Sequence, residues 1–345
     1  MANELRAIAE SIVADHKGIL AADESSGTIK KRFDTIGVES TAESRRAYRN
    51  LLLTTPGFEE FVGGVILFDE TIRQSADDGT PFARLLAAKG VVPGIKVDTG
   101  AKPLAGAPGE AVTEGLDGLR ERLEEYHALG ARFAKWRATL SVGEGLPSRY
   151  CVRVNVHALA RYAALCQEAG IVPIVEPEVL MDTAHSLADC YRATARTLQA
   201  LYAELSVQRV DLEGTLLKPN MVIPGKGNPD QSSPAQIAEA TLHCFRRHVP
   251  AIVPGIVFLS GGQSEVEATA NLDAINRLEN RPWPLSFSYG RALQASALKA
   301  WSGVPENVGA AQAVFLHRAS CNAAAAAGSY SADMEAPVAS GTSAS

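Results

Sequence analysis

The stretch Phe133–Glu176, FAKWRATLSVGEGLPSRYCVRVNVHALARYAALCQEAGIVPIVE, contains one complete strand–helix–strand unit of the predicted fold. It opens with the apolar run Phe133–Arg137 and closes with the run Val172–Glu176. Continuous apolar character, without alternation, is typical of strands that are buried on both faces of a parallel sheet. Between the two runs lies a helical pattern that ends at Gly170, a glycine in the usual position for a C-terminal cap. The apolar face of this helix consists of Leu159, Tyr162, Ala163 and Cys166.

Apolar runs of this kind occur eight times, roughly 30 to 45 residues apart, and helical patterns fill the intervals between them. The eight runs are Gly18–Asp23, Gly64–Asp69, Gly94–Asp98, Phe133–Arg137, Val172–Glu176, Thr215–Lys218, Ile256–Ser260 and Leu285–Gly290. Alternation of strand and helix, repeated eight times, predicts an α/β fold, the (β/α)₈ or TIM barrel. A doubly wound open sheet is the alternative.

The chain has no composition shift that would mark an internal linker, so we predict one barrel domain over residues 1–320. Residues 321–345 are rich in alanine, serine and glycine and are predicted to form a flexible C-terminal tail, whose first alanines can complete a last helix. Two glycine- and proline-rich stretches, Thr99–Gly115 and Pro224–Pro234, are predicted to be long loops over the barrel mouth.

The composition is that of an ordinary globular protein. Of 345 residues, 46% are hydrophobic and 21% are charged, and the net charge of −6 argues against binding to nucleic acid or to acidic membranes. No apolar run approaches the roughly 18 residues that span a bilayer, and the first residues do not resemble a secretory signal, so we expect a cytoplasmic protein.

The cysteines and histidines do not indicate a disulfide framework or a metal site. The five cysteines are scattered and include no C-x-x-C pair, which suits reduced thiols in a cytosol. The seven histidines do not have the spacing of metal ligands within the predicted strand ends. We therefore expect a mechanism that needs no metal and no other cofactor.

Charged and polar residues are concentrated at the ends of the predicted strands. In a barrel these ends meet at one mouth, where active sites are built. A single strand-end lysine is usually solvated, but a set spread over most strands is harder to dismiss, because a buried, unpaired charge costs several kcal/mol. The set is Asp23, Asp98, Lys135, Arg137, Glu176, Lys218, Ser260 and Arg291.

Lys218 is the residue in this set best suited to covalent chemistry. A free lysine has a pKa of about 10.4 and is protonated at neutral pH. The nearby cations Lys135 and Arg137, together with an apolar wall, are expected to lower that pKa and free the amine to form an imine. Glu176 and Glu178 are candidates for proton transfer, and the cations suit a phosphorylated substrate.

Seven sequence blocks, taken together, resemble those of class I fructose-bisphosphate aldolases, in order, from about residue 16 to residue 320. The blocks are Ala22–Ser25, Gly94–Asp98, Phe133–Arg137, Val175–Glu178, Leu212–Asn220, Leu259–Gln263 and Tyr289–Gln294. The resemblance implies a metal-independent lyase that cleaves fructose 1,6-bisphosphate through a Schiff base, and it implies a homotetramer.

The resemblance also implies a role for each catalytic residue. Lys218 is expected to form the Schiff base at carbon 2 of the ketose, and Glu176 to act as the acid and base. Lys135 and Asp23 are expected to steer charge during carbinolamine formation and cleavage, with Glu178 as a supporting carboxylate.

Two phosphates require two anion sites. The 1-phosphate is expected at Ser260, Gly261, Gly262, Gly290 and Arg291. The 6-phosphate is expected at Ser25, Thr28, Arg32 and Lys96, with Arg137 within reach. Thr28 replaces the serine that is commoner in the family, and either hydroxyl can donate to phosphate.

One departure from the family and two alternatives remain. Many animal and plant members end in a tyrosine that speeds proton exchange on the enamine, whereas this chain ends in Ser345 and has its last tyrosine at position 330. The first alternative is a related Schiff-base aldolase acting on another phosphorylated ketose, such as sedoheptulose bisphosphate or fructose 1-phosphate. The second is a scaffold without catalytic activity.

Overall fold

Eight parallel strands close into a barrel in the computed structural model, which describes residues 2–336. Consecutive barrel strands are neighbours, and the last pairs with the first, so the closed barrel replaces the alternative of an open sheet. In chain order the barrel strands are β1 (Gly18–Ala22), β2 (Val62–Leu67), β3 (Val92–Lys96), β6 (Phe133–Leu140), β7 (Val172–Val179), β8 (Leu216–Leu217), β9 (Ile256–Phe258) and β10 (Leu285–Tyr289). All eight coincide with predicted runs.

Twelve α-helices in the described residues surround or close the barrel. They are α1 (Ala2–Ile12), α2 (Ser26–Asp34), α3 (Ala42–Leu53), α4 (Asp69–Ile72), α5 (Phe82–Ala88), α6 (Leu119–Ala128), α7 (Arg149–Glu168), α8 (Leu187–Val207), α9 (Pro234–His248), α10 (Glu265–Arg277), α11 (Arg291–Trp301) and α12 (Val308–Ala326). Within residues 2–336 none of them combines the length and the apolar character needed to cross a membrane.

The barrel interior is apolar at its base because alternate strand residues point inward. The inward residues form one buried cluster together with side chains of α1, which closes the bottom of the barrel. Gly94 makes room for this packing, since a Cβ atom there would lie 2.2 Å from the ring of Phe133. The outward residues form a second, larger cluster with the surrounding helices. Interior strand residues of the apolar base are Ile19, Ala21, Ile66, Phe133, Val172, Ile174, Leu216 and Val257.

Two predicted loops behave differently in the structure. The stretch Thr99–Gly115 contains an antiparallel hairpin, β4 (Gly100–Pro103) paired with β5 (Ala111–Glu114). Its strands are only four residues long, β4 is largely exposed and the buried residue of β5 is the polar Thr113, so they lack the apolar pattern by which a strand is predicted. In contrast, Pro224–Pro234 forms no strand and stays irregular until α9 begins at Pro234.

The last described residues pack against the barrel. The predicted boundary at residue 320 falls inside α12, which continues to Ala326, and the side chain of Tyr330 is buried with its hydroxyl donating to Glu335 at 2.7 Å. The tail therefore does not begin at residue 321. Its predicted remainder, 337–345, lies outside the described residues.

Candidate active site

A cavity of about 770 Å³ opens at the barrel mouth. Every residue with a predicted catalytic or phosphate-binding role lines it except Gly262, which has a positive φ of 85° and packs against Met181. Asp98, also predicted at a strand end of the mouth, does not line the cavity and pairs with Lys96. The structure brings side chains from distant strand ends together at one cavity, and their roles stay predictions. The lining residues from that set are Asp23, Ser25, Thr28, Arg32, Lys96, Lys135, Arg137, Glu176, Glu178, Lys218, Ser260, Gly261, Gly290 and Arg291.

The alternation of the strands explains why the central charges face the cavity. Residues two apart on a strand share a face, and each central charge lies two positions beyond an interior apolar residue. The pairs are Ala21 and Asp23, Phe133 and Lys135, Ile174 and Glu176, and Leu216 and Lys218. The interior of the barrel is thus apolar at its base and charged at its mouth.

Four of these side chains form one chain of alternating charge. Lys135 Nζ lies 2.8 Å from Asp23 Oδ2 and 3.2 Å from Glu176 Oε2. Lys218 Nζ lies 3.1 Å from the other oxygen of Glu176. Asp23 is the most accessible of the four, with 13% of its side chain exposed, and the others are nearly fully buried. Buried ions need such partners, because an unpaired charge in this setting is strongly destabilising.

The pKa shifts follow from this pairing. Burial disfavours the charged form of Asp23, but the charges of Lys135 and Lys218 outweigh it and lower the pKa of this carboxyl. Burial opposes the ionisation of Glu176 in the same way, and the same two lysines still lower its pKa. For Lys135, burial is offset by Asp23 and Glu176, which raise the pKa of its ammonium. Both carboxylates are therefore ionised and Lys135 is a cation at neutral pH.

The lowered pKa of Asp23 predicts a contribution to the acid denaturation of the protein. Because the folded pKa lies below the unfolded one, the unfolded chain binds the proton first as the pH falls. The stabilisation is complete above about pH 5 and is lost as the pH falls toward the folded pKa. Between pH 5 and pH 3 the free energy of unfolding should fall by about 1–2 kcal/mol more in the wild type than in Asp23→Asn. Urea denaturation at both pH values measures the difference, and parallel losses in the two proteins would contradict the assigned pairing.

Lys218 and Lys135 differ in their number of partners. Lys135 contacts two carboxylates and Lys218 contacts one. Lys218 is therefore held by one ionic contact and Lys135 by two. The two cations that were expected to lower the pKa of Lys218 are themselves paired with carboxylates. Lys135 pairs with Asp23 and Glu176, and Arg137 pairs with Glu178. That they act on the pKa of Lys218 stays a prediction.

The glycine loop after β9 and the start of α11 meet at the cavity wall, where the 1-phosphate was predicted to bind. Ser260 and Gly261 follow β9, and a Cβ atom at Gly261 would lie 2.9 Å from Glu178 Oε1, so a larger residue would displace the Glu178 carboxylate. Arg291 is the first residue of α11, and its Nη2 donates to the backbone oxygen of Gln263 at 3.3 Å. The positive end of α11 and the arginine together suit an anion.

The start of α2 lies at the cavity wall, where the 6-phosphate was predicted to bind. Ser25 precedes the helix, and its Oγ lies 3.2 Å from Thr28 Oγ1, so two hydroxyls meet at the positive end of the helix dipole. Arg32 lies one turn further along and its guanidinium pairs with Glu24. Lys96 Nζ lies 2.6 Å from Asp98 Oδ1, so this cation is also held by a carboxylate.

Three of the lining residues that were not predicted for the site are polar and buried. Glu24 is part of a quoted block but received no role, Ser288 faces inward on β10, and Gln294 lies on α11. Strand alternation alone predicts that Ser288, two residues before Gly290, faces the interior of the barrel. Neither polar atom Ser288 Oγ nor Gln294 Oε1 has a hydrogen-bond partner among residues 2–336.

The described residues include no group of three or more His, Cys, Asp or Glu side chains placed to hold a metal ion. Tyr330, the last tyrosine, does not line the cavity. It lies between α10 and α12, where its amide donates to Asp273 Oδ1 at 3.0 Å.

Comparison with known proteins agrees with this geometry. The family described as glycolytic fructose-bisphosphate aldolase class I matches residues 4–344. A probable fructose-bisphosphate aldolase class 1 from Xanthomonas campestris pv. campestris is 57% identical over 328 residues, which cover 95% of this chain and 98% of the relative. The cytosolic fructose-bisphosphate aldolase 6 of Arabidopsis thaliana is 55% identical over 333 residues, or 96% of this chain and 93% of the relative.

A solved structure shares the fold over nearly the whole chain. The aldolase of Plasmodium falciparum, determined in a ternary complex with TRAP and a small-molecule inhibitor, superposes with a TM-score of 0.94. The two proteins are 48% identical in sequence, and the match covers 96% of each chain.

Proposed function

Since the chain belongs to the family of class I fructose-bisphosphate aldolases, we propose that Lys218 is its Schiff-base nucleophile and that Glu176 is its general acid and base. The enzyme is a lyase of glycolysis that reversibly cleaves fructose 1,6-bisphosphate to dihydroxyacetone phosphate and glyceraldehyde 3-phosphate. The observation that carries the assignment is the contact of one carboxylate, Glu176, with both buried lysines. Reduction with borohydride in the presence of dihydroxyacetone phosphate, followed by peptide mapping, tests it.

Imine formation uses Lys218 and Glu176 in sequence. Lys218 first passes a proton to the Glu176 carboxylate and then attacks the carbonyl at carbon 2 as a neutral amine. The resulting carbinolamine loses its hydroxyl as water when Glu176 returns that proton to the hydroxyl oxygen, which leaves a protonated imine. Glu176 lies 3.1 Å from the amine, within hydrogen-bond reach for taking up the proton of Lys218. Lys135 keeps its charge throughout and stabilises the negative oxygen that develops at carbon 2.

Cleavage uses the imine as an electron sink. A base, for which we propose Glu176 again, removes the proton from the hydroxyl at carbon 4. The bond between carbons 3 and 4 breaks, its electron pair enters the protonated imine as an enamine, and glyceraldehyde 3-phosphate leaves as the aldehyde. Asp23 and Glu178 hold Lys135 and Arg137 in place while the charge moves. Protonation of the enamine and hydrolysis of the imine then release dihydroxyacetone phosphate and restore Lys218.

We assign the 1-phosphate to the site at Ser260, Gly261, Gly290 and Arg291, and Gly262 supports this loop from behind. Arg291→Ala should weaken substrate binding by roughly 1.5–3 kcal/mol, the value of hydrogen bonds to a charged group. The measured result is a rise in KM of about tenfold to 100-fold. Arg84→Ala, which removes an exposed arginine on α5 far from the cavity, is the matched control. An unchanged KM in Arg291→Ala would contradict the phosphate assignment.

We propose that fructose 1,6-bisphosphate is preferred over monophosphates because a second anion site is present. It consists of Ser25, Thr28, Arg32 and Lys96, with Arg137 at the rim of the cavity, where 43% of its side chain is exposed. Arg137 and Arg32 are both paired with carboxylates, so each can present its remaining N–H groups to a phosphate. The ratio of kcat/KM for bisphosphate and monophosphate ketoses measures this preference.

We propose a cytoplasmic homotetramer. The resemblance to the family suggests the assembly, and relatives from Arabidopsis thaliana are named cytosolic. Sedimentation equilibrium should give a native mass four times that of the 36.5 kDa chain. A mass of one or two chains at micromolar concentration would refute the tetramer and leave the catalytic assignments untouched.

A further inference from the structure

Arg49 is a fully buried arginine behind the cavity, and none of the steps above uses it. It lies on α3 with 3% of its surface exposed and does not line the cavity. Its Nη2 lies 2.6 Å from Glu24 Oε2, and its Nη1 has no hydrogen-bond partner among residues 2–336. A buried guanidinium with an unpartnered donor reduces stability, so its presence here calls for a reason other than packing.

Glu24 connects this arginine to the cavity wall. Strand alternation turns Asp23 into the barrel and Glu24 outward, toward the helices, where Leu20 and Ala22 also point. One oxygen of Glu24 accepts from Arg49, and the other accepts from Arg32 and from Gln294 Nε2, the latter at 3.2 Å. Glu24 is therefore shared between a buried arginine and an arginine that lines the cavity.

The charge of this triad decides what Arg32 can offer a substrate. A pair of Arg32 and Glu24 alone would be neutral and would present little attraction to a phosphate. With Arg49 included, two cations share one carboxylate and the triad carries a net charge of +1. We propose that Arg49 is a positioning residue for phosphate recognition: it neutralises Glu24 from behind, so that Arg32 keeps its orientation and a net positive charge at the second anion site.

This inference rests on the proposed function, in which Arg32 belongs to the 6-phosphate site. Arg32 is oriented for that role, since its Nη1 bonds Glu24 while its other nitrogens have no partner in the described part of the chain. The hydroxyls of Ser25 and Thr28 lie on the same helix. Arg49 never touches the substrate, so its effect must appear in binding of the phosphate and not in the chemical step.

The test is a charge cycle at positions 49 and 24. Arg49→Gln can still donate to Glu24 but leaves the triad neutral, and it should raise the KM for fructose 1,6-bisphosphate roughly tenfold with little change in kcat. The double variant Glu24→Gln/Arg49→Gln restores the net charge of +1 and should bring this KM back toward the wild-type value. Arg49→Lys keeps the charge and should resemble the wild type. The KM for fructose 1-phosphate, which lacks the 6-phosphate, should change by no more than about twofold.

Two results would overturn the inference. In the first, the double variant binds the bisphosphate no better than Arg49→Gln, as expected if Arg49 only stabilises the fold. In the second, the KM for fructose 1-phosphate rises as much as that for the bisphosphate. If Arg49→Gln does not fold, Arg49→Met takes its place in the cycle. Borohydride trapping with dihydroxyacetone phosphate distinguishes failure of the proposed function from failure of the Arg49 inference. Absence of label on Lys218 in the wild type refutes the proposed function. Normal labelling, with a KM for fructose 1,6-bisphosphate that is the same in Arg49→Gln as in the wild type, refutes only the role of Arg49.

Discussion

Lys218→Ala should eliminate covalent trapping of dihydroxyacetone phosphate and lower kcat by at least about 10⁴-fold, as expected when a nucleophile is removed. Among the lysines of the described cavity wall, Lys218 is the one that contacts Glu176 and no other carboxylate, and its amine lies 3.1 Å from this proposed proton donor. Lys135, by contrast, is held as a cation by two carboxylates that raise its pKa.

Two control variants make the Lys218 result specific. Lys218→Arg keeps a cation beside Glu176 but cannot form an imine, so it should fold like the wild type and still be inactive and unlabelled. Lys226→Ala removes an exposed lysine of the loop after β8 and should be labelled normally. Labelling that persists in Lys218→Ala, or that maps to Lys135, would place the Schiff base on another residue. Mass spectrometry of the reduced adduct distinguishes these results.

The barrel could be predicted from the sequence because each strand is buried on both faces. Val172–Glu176 is a typical case, with a continuous apolar run that ends in a carboxylate at the mouth. Strand alternation then explains which end residues face the cavity, so Asp23, Lys135, Glu176 and Lys218 were all found. The hairpin β4–β5 was predicted as a loop because its strands are short and carry no apolar pattern.

The electrostatic partners of the site could not be predicted from the sequence. An arginine within a helix, such as Arg49, is usually solvated, and only the packing of α3 behind β1 places it against Glu24. The contact of Lys96 with Asp98 was equally hidden, although the two residues are neighbours in one block. The end of the barrel domain was placed too early for a similar reason, since an alanine run does not reveal that α12 packs against α10 and α11.

Glu176→Gln should lower kcat by roughly 10²–10⁴-fold, the range typical for loss of a general acid and base. Two causes contribute. The amide cannot supply or accept the proton at the carbinolamine and at the hydroxyl of carbon 4. The substitution also leaves Lys218 without a carboxylate partner and Lys135 with Asp23 alone. Loss of a partner from a buried ion pair is destabilising, so the variant should unfold at a lower urea concentration than the wild type.

Glu178→Gln is the matched control, because Glu178 lies two residues further along β7 on the same face and is also buried. It contacts Arg137 and neither lysine, so its substitution should affect KM more than kcat and should leave imine trapping fast. Single-turnover trapping with dihydroxyacetone phosphate separates imine formation from cleavage and should be slowed in Glu176→Gln only. Equal losses of kcat in Glu176→Gln and Glu178→Gln would mean that the two carboxylates act as a unit. Glu176 would then not be the sole acid and base.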